Sequence, residues 1–372
     1  MALTVMQLLP ALEVGGVERG TLEIAAALIE RGHQAIVVSA GGHLVDELCA
    51  LGATHVNCPI GRKSVRTLLT IKRLRDIIKR YEVDLVHARS RLPAWIGHHA
   101  ISGLAQSERP RWITTVHGPY SVNFYSRIMT SGDQVIAISE FIRDYVLTNY
   151  PSVSPSRIKV IARGVDRNRY AHAYQPSQFW QTKWQEQHPQ LDGKRLLVLP
   201  GRITRWKGQA DFITMLDKLV QRKFPVHGLI AGGASDSRSK FERELREQMA
   251  ARGLLEHLTF LGQRADLRDI LAHADIAYSL TLEPEAFGRT TIEALSVGTP
   301  VIGYAHGGTG EILREVLPRG LVAPGNVTHA VETTCAFLAK PISVPATHKY
   351  TLAAMQQATI DVYENVLRSP RA

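Results

Sequence analysis

The stretch "TVMQLLPALEVGGVERGTLEIAAALIERGHQAIVVSA", residues 4–40, contains a complete strand–loop–helix–strand unit. The apolar runs at 4–9 and 35–40 are short, nearly continuous and bounded by turn residues, as parallel strands covered on both faces are expected to be. Between them, residues 17–31 form an amphipathic helical pattern that follows a pair of glycines. This order predicts an α/β fold built on a parallel sheet.

The same alternation continues along the chain in two series. The first series runs through strand-like segments near residues 84, 112 and 134, and the second begins with "RLLVLPGR" at Arg195. The segment 168–192 between them is polar and aromatic, without a strand signal. At about 100–200 residues per domain, a chain of 372 residues is expected to form two domains.

We therefore predict two doubly wound, Rossmann-like domains that face each other across a cleft. The first covers residues 1–175 and the second covers 176–350. A last helical segment, 351–372, is expected to cross back to the first domain. Ligands of such sheets bind beyond the carboxyl ends of the strands, so the residues that follow each strand carry the most functional information.

The composition limits the environment and the partners of the chain. The net charge is +10 and the pI is about 9.6, which favours an anionic partner: nucleic acid, a membrane surface or a phosphorylated substrate. Three scattered cysteines argue for a reducing compartment. The N-terminus is interpreted as a first strand rather than a signal peptide, and no apolar run reaches the roughly 18–20 residues of a transmembrane helix. We expect a cytoplasmic protein.

Three segments that follow predicted strands are candidates for ligand binding. Gly15 and Gly16 open the first helix, where a close backbone approach and an anion are both favoured. His117 ends a strand in "TTVHGPYS". In "PGRITRWKGQADF", Arg202 and Lys207 can direct two cations at one phosphate beside a helix start, although two solvated surface charges are the simpler alternative.

The stretch "EPEAFGRTTIEA", residues 283–294, places two carboxylates around a predicted helix start. Glu285 lies in the loop, and Glu293 lies more than one turn inside a helix that begins near Gly288. Backbone N–H groups at such a start can hold a pyrophosphate, and each carboxylate can accept two hydroxyl hydrogen bonds. Two solvated acids on a helix surface remain the alternative.

These segments together resemble the retaining GT-B glycosyltransferases of family four, which include many bacterial lipopolysaccharide and exopolysaccharide transferases. The resemblance spans nearly the whole chain and rests on the segments "GGVER", "VHG", "AISEFIRDYV", "RIKVIARGVD", "GRITRWKG", "EAFGRTTIE" and "GGTGE". One position departs from the family pattern, because Arg163 stands where an asparagine is common.

The resemblance implies a nucleoside-diphosphate sugar as donor substrate, with UDP as the expected nucleotide and GDP or ADP still open. Arg202 and Lys207 would hold the diphosphate, Glu293 the ribose hydroxyls, and Glu285 the hydroxyls of the sugar. His117 would lie near the sugar and the acceptor. The remaining expected donor-binding residues are Gly15, Gly16, Arg264, Phe287, Gly288, Arg289 and Thr290. The sequence has no Asp-X-Asp, so no metal and no further cofactor are expected.

The first domain is expected to bind a glycolipid or saccharide acceptor. The segments "ARSRLPAW" and "GPYSVNFYSR" combine arginine with aromatic residues, and the basic amphipathic stretch 61–82 could dock on an anionic membrane surface. In that stretch Leu68, Ile71, Leu74 and Ile78 share one predicted apolar face. A covering helix with a solvated face is the alternative to membrane docking.

Two rival functions remain open at this stage. A sugar-nucleotide epimerase shares the GT-B architecture and needs neither acceptor nor membrane. A nucleic-acid-binding protein would explain the charge, but the sequence contains no helix-turn-helix, RNA-recognition or zinc signature, so we expect no nucleic-acid partner. An NAD-dependent oxidoreductase is disfavoured because the loop after the second strand lacks an acid for the ribose.

Overall fold

A computed structural model describes residues 2–13, 15–62, 64–233 and 239–370. Val14 of the predicted glycine loop and Lys63 of the basic stretch therefore lie outside the described residues. Contacts divide the chain into two units. Unit 1 is Met1–Ala162 with Leu352–Ala372, and unit 2 is Arg163–Thr351.

Unit 1 is built on a seven-stranded parallel sheet with the order β3-β2-β1-β4-β5-β6-β7. Its strands are β1 Thr4–Leu8, β2 Gln34–Ser39, β3 Thr54–Asn57, β4 Leu85–Ala88, β5 Arg111–Val116, β6 Gln134–Ala137 and β7 Ile158–Val160. The α-helices before the chain leaves this unit are α1 Gly16–Glu30, α2 Val45–Ala50, α3 Thr70–Arg80, α4 Arg91–Ser102, α5 Phe124–Arg127 and α6 Glu140–Asn149.

Unit 2 is built on a six-stranded parallel sheet with the order β10-β9-β8-β11-β12-β13. Its strands are β8 Arg195–Pro200, β9 Val226–Ala231, β10 Leu258–Gly262, β11 Ile276–Ser279, β12 Val301–Tyr304 and β13 Leu321–Val322. Its α-helices are α7 Gln178–Gln187, α8 Gln209–Gln221, α9 Ser239–Ala251, α10 Leu267–His273, α11 Arg289–Val297, α12 Gly307–Val316 and α13 Val327–Ala339.

The last helix, α14 Leu352–Arg368, returns to unit 1 and packs against α1. Tyr363 is fully buried, and its hydroxyl lies 2.7 Å from Nδ1 of His87 on β4. The side chain of Gln356 donates to the carbonyl of Glu23 on α1 at 2.8 Å. The sequence predicts a C-terminal helix that crosses back to the first domain, and these are contacts that such a helix would make; the domain assignment itself stays a prediction.

The strand order determines where each sheet can bind a ligand. In unit 1 the order reverses between β1 and β4, and in unit 2 it reverses between β8 and β11. At such a switch point the two following loops diverge and leave a crevice at the carboxyl ends of the strands. The loops after β8 and β11 are those that carry Lys207 and Glu285.

Several local predictions differ from the structure. A 3₁₀ helix, Val65–Leu69, precedes α3, and the side chain of Leu68 is 59% exposed, whereas Leu74 and Ile78 are buried. The predicted apolar face is therefore wrong at Leu68, because the 3₁₀ turn has a different period from the helix that follows. The segment 168–192, for which no element was predicted, contains α7.

The segment 163–175 makes its described backbone contacts inside unit 2. Val165 pairs with Thr351 in an isolated parallel bridge, and the Ala173 amide donates to the carbonyl of Val297 at 3.2 Å. Sequence patterning assigned these residues to the first domain. The division into an acceptor domain and a donor domain stays a proposal.

Within the described ranges, every helix is too short or too polar to span a membrane.

Candidate functional site

The loop between β8 and α8 carries the two cations of the predicted phosphate site. Arg202 is exposed, and its carbonyl accepts a hydrogen bond from Nε2 of the buried Gln209 at 3.1 Å. The loop ends at Gly208, whose φ of 79° lies in the left-handed region. A Cβ at Gly208 would stand 1.9 Å from the carbonyl oxygen of Leu280, so only glycine fits. The chain thus turns sharply and brings Lys207 close to the loop after β11.

Lys207 and Glu285 form a partly buried ion pair. Nζ of Lys207 donates to Oε1 of Glu285, and the two side chains are only 17% and 10% exposed. Nζ also lies 4.5 Å from the centre of the Trp206 ring. Two residues that sequence reasoning assigned to the diphosphate and the sugar are therefore in direct contact.

The Glu285 carboxylate is also close to a side-chain hydroxyl, which is itself close to a second hydroxyl. The Thr309 hydroxyl lies 3.4 Å from Oε2 of Glu285 and 3.1 Å from the hydroxyl of Ser279. The backbone also holds the loop, because the Gly308 amide donates to the carbonyl of Glu285 at 2.8 Å. Fixed from both sides, the Glu285 carboxylate is preorganised rather than free to rotate in solvent.

Helix α11 begins directly after this loop. Gly288 precedes it with a φ of 92°, and a Cβ there would stand 2.7 Å from the Thr309 hydroxyl oxygen. Arg289 and Thr290, the first two helical residues, are half-buried. The positive end of the helix dipole at this start favours an anion near the cation of Lys207.

Glu293 lies one turn further along α11 and is only 7% exposed. Nε of Arg289 donates to its Oε1 at 3.0 Å. Burial raises the pKa of Glu293, while Arg289, Arg169 and the Tyr170 hydroxyl act to lower it. Burial also raises the pKa of Tyr170, to about 12.

Two further predicted donor-site residues have other described partners. Arg264 forms a bidentate ion pair with Asp266, in which Nε donates to Oδ1 at 2.8 Å and Nη2 donates to Oδ2 at 2.7 Å. The Arg264 guanidinium also lies 5.8 Å from the centre of the Trp184 ring. Phe287 is 6% exposed and packs edge-on against Tyr350 at 5.8 Å between ring centres. Their assignment to sugar-nucleotide binding stays a prediction.

In unit 1, the predicted residues lie at the carboxyl ends of β1 and β5. Gly15 caps α1, which begins at Gly16, and the Gly15 carbonyl accepts the first helical hydrogen bond from Arg19 at 3.0 Å. His117 follows β5, and its backbone amide donates to the Tyr120 hydroxyl at 3.3 Å. Both places agree with the expected carboxyl edge of the sheet.

Arginine and aromatic side chains cluster around the start of α4. The Arg91 guanidinium lies over two rings, 4.9 Å from the Tyr120 centre and 5.3 Å from the Tyr125 centre. Trp95 packs against Phe124 at 5.2 Å, and its indole N–H donates to the carbonyl of Tyr125 at 2.9 Å. Such amphipathic surfaces suit sugars and phosphates.

Arg89, predicted as part of the same surface, is instead 2% exposed. Its Nη1 donates to the side-chain oxygen of Gln7 at 2.8 Å, and burial lowers the pKa of its guanidinium. Because β4 alternates its side chains between two faces, Arg89 shares the inner face of His87 rather than the rim of the sheet.

Sequence profiles of two glycosyltransferase families match the two halves of the chain. "Glycosyltransferase Family 4" matches residues 14–169, and "Glycosyl transferases group 1" matches residues 181–353. The chain belongs to glycosyltransferase family 4. This family consists of retaining hexosyltransferases that need no metal.

Solved structures support the GT-B fold over the full length. A glycosyltransferase from Rickettsia africae ESF-5 is 29% identical, with a TM-score of 0.87 over 99% of this chain and 100% of the other. Anabaena Alr3699/HepE, solved in complex with UDP and glucose, is 20% identical, with a TM-score of 0.80 over 97% and 99% of the two chains. The second likeness concerns the fold alone.

A curated relative is the lipopolysaccharide core biosynthesis mannosyltransferase LpsB from Rhizobium meliloti, which is 27% identical over 154 residues. That match covers 41% of this chain and 42% of LpsB. In two further curated relatives the match covers 46% and 39% of their length. The chain therefore spans less than half the length of each of these three relatives.

Two residues of the site were missed by sequence reasoning. Thr309 stands in the quoted "GGTGE" segment, and a hydroxyl between glycines after a strand could have identified it. Tyr170 lies in a segment without periodic pattern, and no local signal connects it to Glu293. Only the folded chain brings Tyr170 and Glu293 together.

Proposed function

We propose that the chain is a retaining hexosyltransferase that moves a sugar from a nucleoside-diphosphate sugar, with UDP as the nucleotide, to a glycolipid or saccharide acceptor. The observation that carries this proposal is the ion pair of Lys207 and Glu285, formed by the two loops at the switch point of the unit 2 sheet. The start of α11 and the buried Glu293 complete a set of groups suited to a diphosphate, a sugar and a ribose.

The proposed chemistry takes place on one face of the sugar. The bond between the anomeric carbon and the phosphate oxygen breaks, and the acceptor oxygen bonds to the same carbon from the same side. The acceptor's proton passes to the departing phosphate oxygen, so configuration is retained without a protein nucleophile. Lys207, Arg202 and the positive end of the α11 dipole stabilise the negative charge that develops on the diphosphate.

The acceptor is proposed to bind unit 1, near His117 and the arginine–aromatic cluster of Arg91 and Trp95. A cavity of about 350 Å³ beside this cluster is lined by Trp95, Phe124 and Arg127, among others. Aromatic faces stack on sugar rings, and arginine binds phosphate. With LpsB as a relative, a phosphorylated glycolipid of lipopolysaccharide or another cell-envelope glycan is the acceptor class we propose.

Peripheral binding to the inner face of the cytoplasmic membrane is proposed for the same unit. Leu68 and Leu69 are 59% and 76% exposed at the start of α3. The exposed basic residues of that helix are Lys72, Arg73, Lys79 and Arg80. Exposed apolar side chains next to clustered positive charge suit an anionic lipid surface.

A thermal-shift series with UDP, GDP, ADP and TDP in the presence of EDTA tests the nucleotide. A ligand at 100 times its Kd should raise the free energy of unfolding by roughly 2.7 kcal/mol. We expect UDP to give the largest shift. No shift with any nucleoside diphosphate would contradict the proposal.

Release of UDP from UDP-glucose, UDP-galactose or UDP-N-acetylglucosamine, with and without a truncated lipopolysaccharide, tests the transfer. We expect release that depends on the acceptor for one of these sugars. Interconversion of the sugar nucleotide without an acceptor would identify an epimerase of the same fold instead.

A further inference from the structure

A cavity of about 310 Å³ lies in unit 2, at the end of the sheet opposite to the Lys207–Glu285 pair. Among its lining residues, Leu196 is the second residue of β8 and Asp275 directly precedes β11, so the cavity is at the amino ends of these strands. Lys207 and Glu285 lie in the loops that follow the carboxyl ends of the same strands. Since β8 has six residues at about 3.3 Å each, roughly 20 Å of strand separates the two ends. The cavity is therefore distinct from the site described above.

Helix α7 and the turn that follows it form one wall of the cavity. Trp184 and His188 are four positions apart, and the His188 amide donates to the Trp184 carbonyl at 2.9 Å, so the two side chains are neighbours on one side of the helix. Their ring centres are 4.4 Å apart, and His273 at the end of α10 stands edge-on to Trp184 at 6.1 Å. Burial lowers the pKa of both histidines, so both rings are neutral at pH 7. The wall is thus aromatic and uncharged.

Two buried polar atoms of this wall have no hydrogen-bond partner among the described residues. They are Nε1 of Trp184, a residue that is only 4% exposed, and Nε2 of His188. The indole N–H can only donate, whereas the nitrogen of a neutral imidazole can donate or accept. A buried polar group without a partner costs stability, and such groups in a native protein point to a bound ligand or water that supplies the missing bond.

The rest of the lining carries polar groups of both charges. Asp275 is already paired with Arg195, whose Nε lies 2.8 Å from its Oδ1. Lys194 and Asp192 are exposed and place one charge of each sign beside the cavity, and Gln185 adds an amide group. An anion would be attracted by Lys194 and repelled by Asp192. A ligand with several hydroxyl groups fits this mixture better, because each hydroxyl can both donate and accept a hydrogen bond.

The volume of the cavity also favours a small organic ligand over a single water molecule. One water takes up about 30 Å³ of liquid, and ligand pockets of proteins begin at about 300 Å³. A cavity of about 310 Å³ thus has room for a ligand the size of one sugar ring. The C–H faces of a sugar can pack on the aromatic wall while its hydroxyls reach the polar atoms.

We propose that this cavity is an accessory binding site for an uncharged sugar unit, whose hydroxyls bond to Nε1 of Trp184 and Nε2 of His188. The accessory site is separate from the donor and acceptor sites of the proposed function. A sugar bound there stays out of reach of the groups that are proposed to carry the transfer, so the site binds sugar without reacting with it.

The five tryptophans of the chain make a direct test possible. When the indole nitrogens are isotope-labelled, each indole N–H gives one NMR signal, and Trp184→Phe identifies the signal of Trp184. The probes are methyl α-glucoside, methyl α-galactoside, methyl α-mannoside and the lipid-free oligosaccharide of a truncated lipopolysaccharide. We expect at least one probe to shift the Trp184 signal saturably, while the signal of Trp206, next to Lys207, stays in place. A shift of the Trp206 signal alone would locate the sugar at the donor site and overturn the proposal.

Gln185→Ala and Gln187→Ala form a matched pair of variants. Both residues are exposed glutamines of α7, but Gln185 lines this cavity and Gln187 lines a different one. Gln185→Ala should weaken the binding of the sugar about three- to tenfold, which is the effect of one lost hydrogen bond. Gln187→Ala should leave the Kd of the sugar unchanged. Equal affinity in both variants and the unchanged protein would overturn the proposal.

Inorganic phosphate is the probe for the alternative of an anion site. If phosphate shifts the Trp184 signal and no sugar does, the cavity binds anions. If no probe shifts it, water satisfies the two buried atoms, and either of these results would overturn the proposal. Tighter binding of the oligosaccharide would identify a glycan chain as the source of the sugar, and tighter binding of one methyl glycoside would identify a free sugar; both results support the proposal. None of these measurements requires UDP, so they stand apart from the tests of the proposed function.

Discussion

The charged residues that we assign to the two candidate sites have different partners in the two units. In unit 2, Lys207 is paired with Glu285, and Arg289 with Glu293, and both carboxylates are at most 10% exposed as side chains. In unit 1, Arg91 lies over the rings of Tyr120 and Tyr125. Directional ion pairs in a buried setting hold a fixed geometry, whereas aromatic faces accept a cation over a range of positions. We infer that the candidate site in unit 2 is shaped for one small ligand and that in unit 1 for a larger, more variable one.

Among the substitutions considered for the two sites, removal of Lys207 is expected to have the largest effect on activity. Lys207→Met leaves the Glu285 carboxylate without its cation and removes a charge from the proposed diphosphate site. Losing one such preorganised group lowers kcat by roughly 10²–10³-fold. Acceptor-dependent UDP release measures this loss of kcat, and Lys218→Met on α8 is the control. Turnover within twofold of the unchanged protein would remove Lys207 from the mechanism.

A second difference concerns two buried histidines. His87 in unit 1 lies between the hydroxyls of Tyr363 and Thr115. His227 in unit 2 is 1% exposed, and burial lowers its pKa to about 4, with repulsion from His257 as a further cause. In the unfolded chain a histidine titrates near pH 6.5, so the unfolded state binds more protons between these two values.

The free energy of unfolding of unit 2 should therefore fall as the pH falls from about 6.5 to about 4, by up to roughly 3 kcal/mol from His227. Thermal unfolding between pH 7 and pH 4 measures this loss. His227→Gln, which cannot take up the proton, should flatten the pH dependence, while the exposed His329→Gln should leave it unchanged. If His227→Gln still loses stability steeply between pH 7 and pH 4, groups other than His227 cause the pH dependence.

Glu285→Gln tests whether the ion pair in unit 2 serves the sugar rather than the nucleotide. The change removes the carboxylate charge that neutralises Lys207. UDP alone should therefore bind at least as tightly as it binds the unchanged protein. Transfer from the sugar nucleotide should fall about 10- to 100-fold, the usual effect of a lost hydrogen bond to a charged group. Calorimetry with UDP and turnover assays measure the two effects, with the exposed Glu283→Gln as control. Parallel losses of UDP affinity and turnover would contradict this division of roles.

The smallest effect on stability is expected at the exposed apolar residues of unit 1. Leu69→Ser should change the free energy of unfolding by less than about 0.5 kcal/mol, because the side chain is 76% exposed. It should nevertheless reduce co-sedimentation with phosphatidylglycerol vesicles at low salt. Leu255→Ser, at a 63% exposed leucine of unit 2, is the matched control. Equal vesicle binding by all three proteins would remove this surface from membrane docking.

The local sequence determined most of the architecture and the chemical character of the site in unit 2. The long strands β1, β2, β5, β8 and β9 are apolar runs bounded by turn residues, and such runs are legible without tertiary information. The short strands at the sheet edges were not predicted, because β7 and β13 have three and two residues and too little pattern. Lys207 and Glu285 were both identified from the loops that follow strands.

Tertiary structure alone decided which of these residues touch. The contact of Lys207 with Glu285 requires the switch in strand order between β8 and β11. The effect of Tyr170 on the pKa of Glu293 likewise joins two segments that share no sequence pattern. Burial of Arg89 and exposure of Leu68 were likewise decided by packing. The spacing of apolar residues along the sequence shows which face of a helix or strand is apolar, because residues on one face are only a few positions apart. Partners distant in sequence depend on how the sheet is ordered, and no local signal encodes that order.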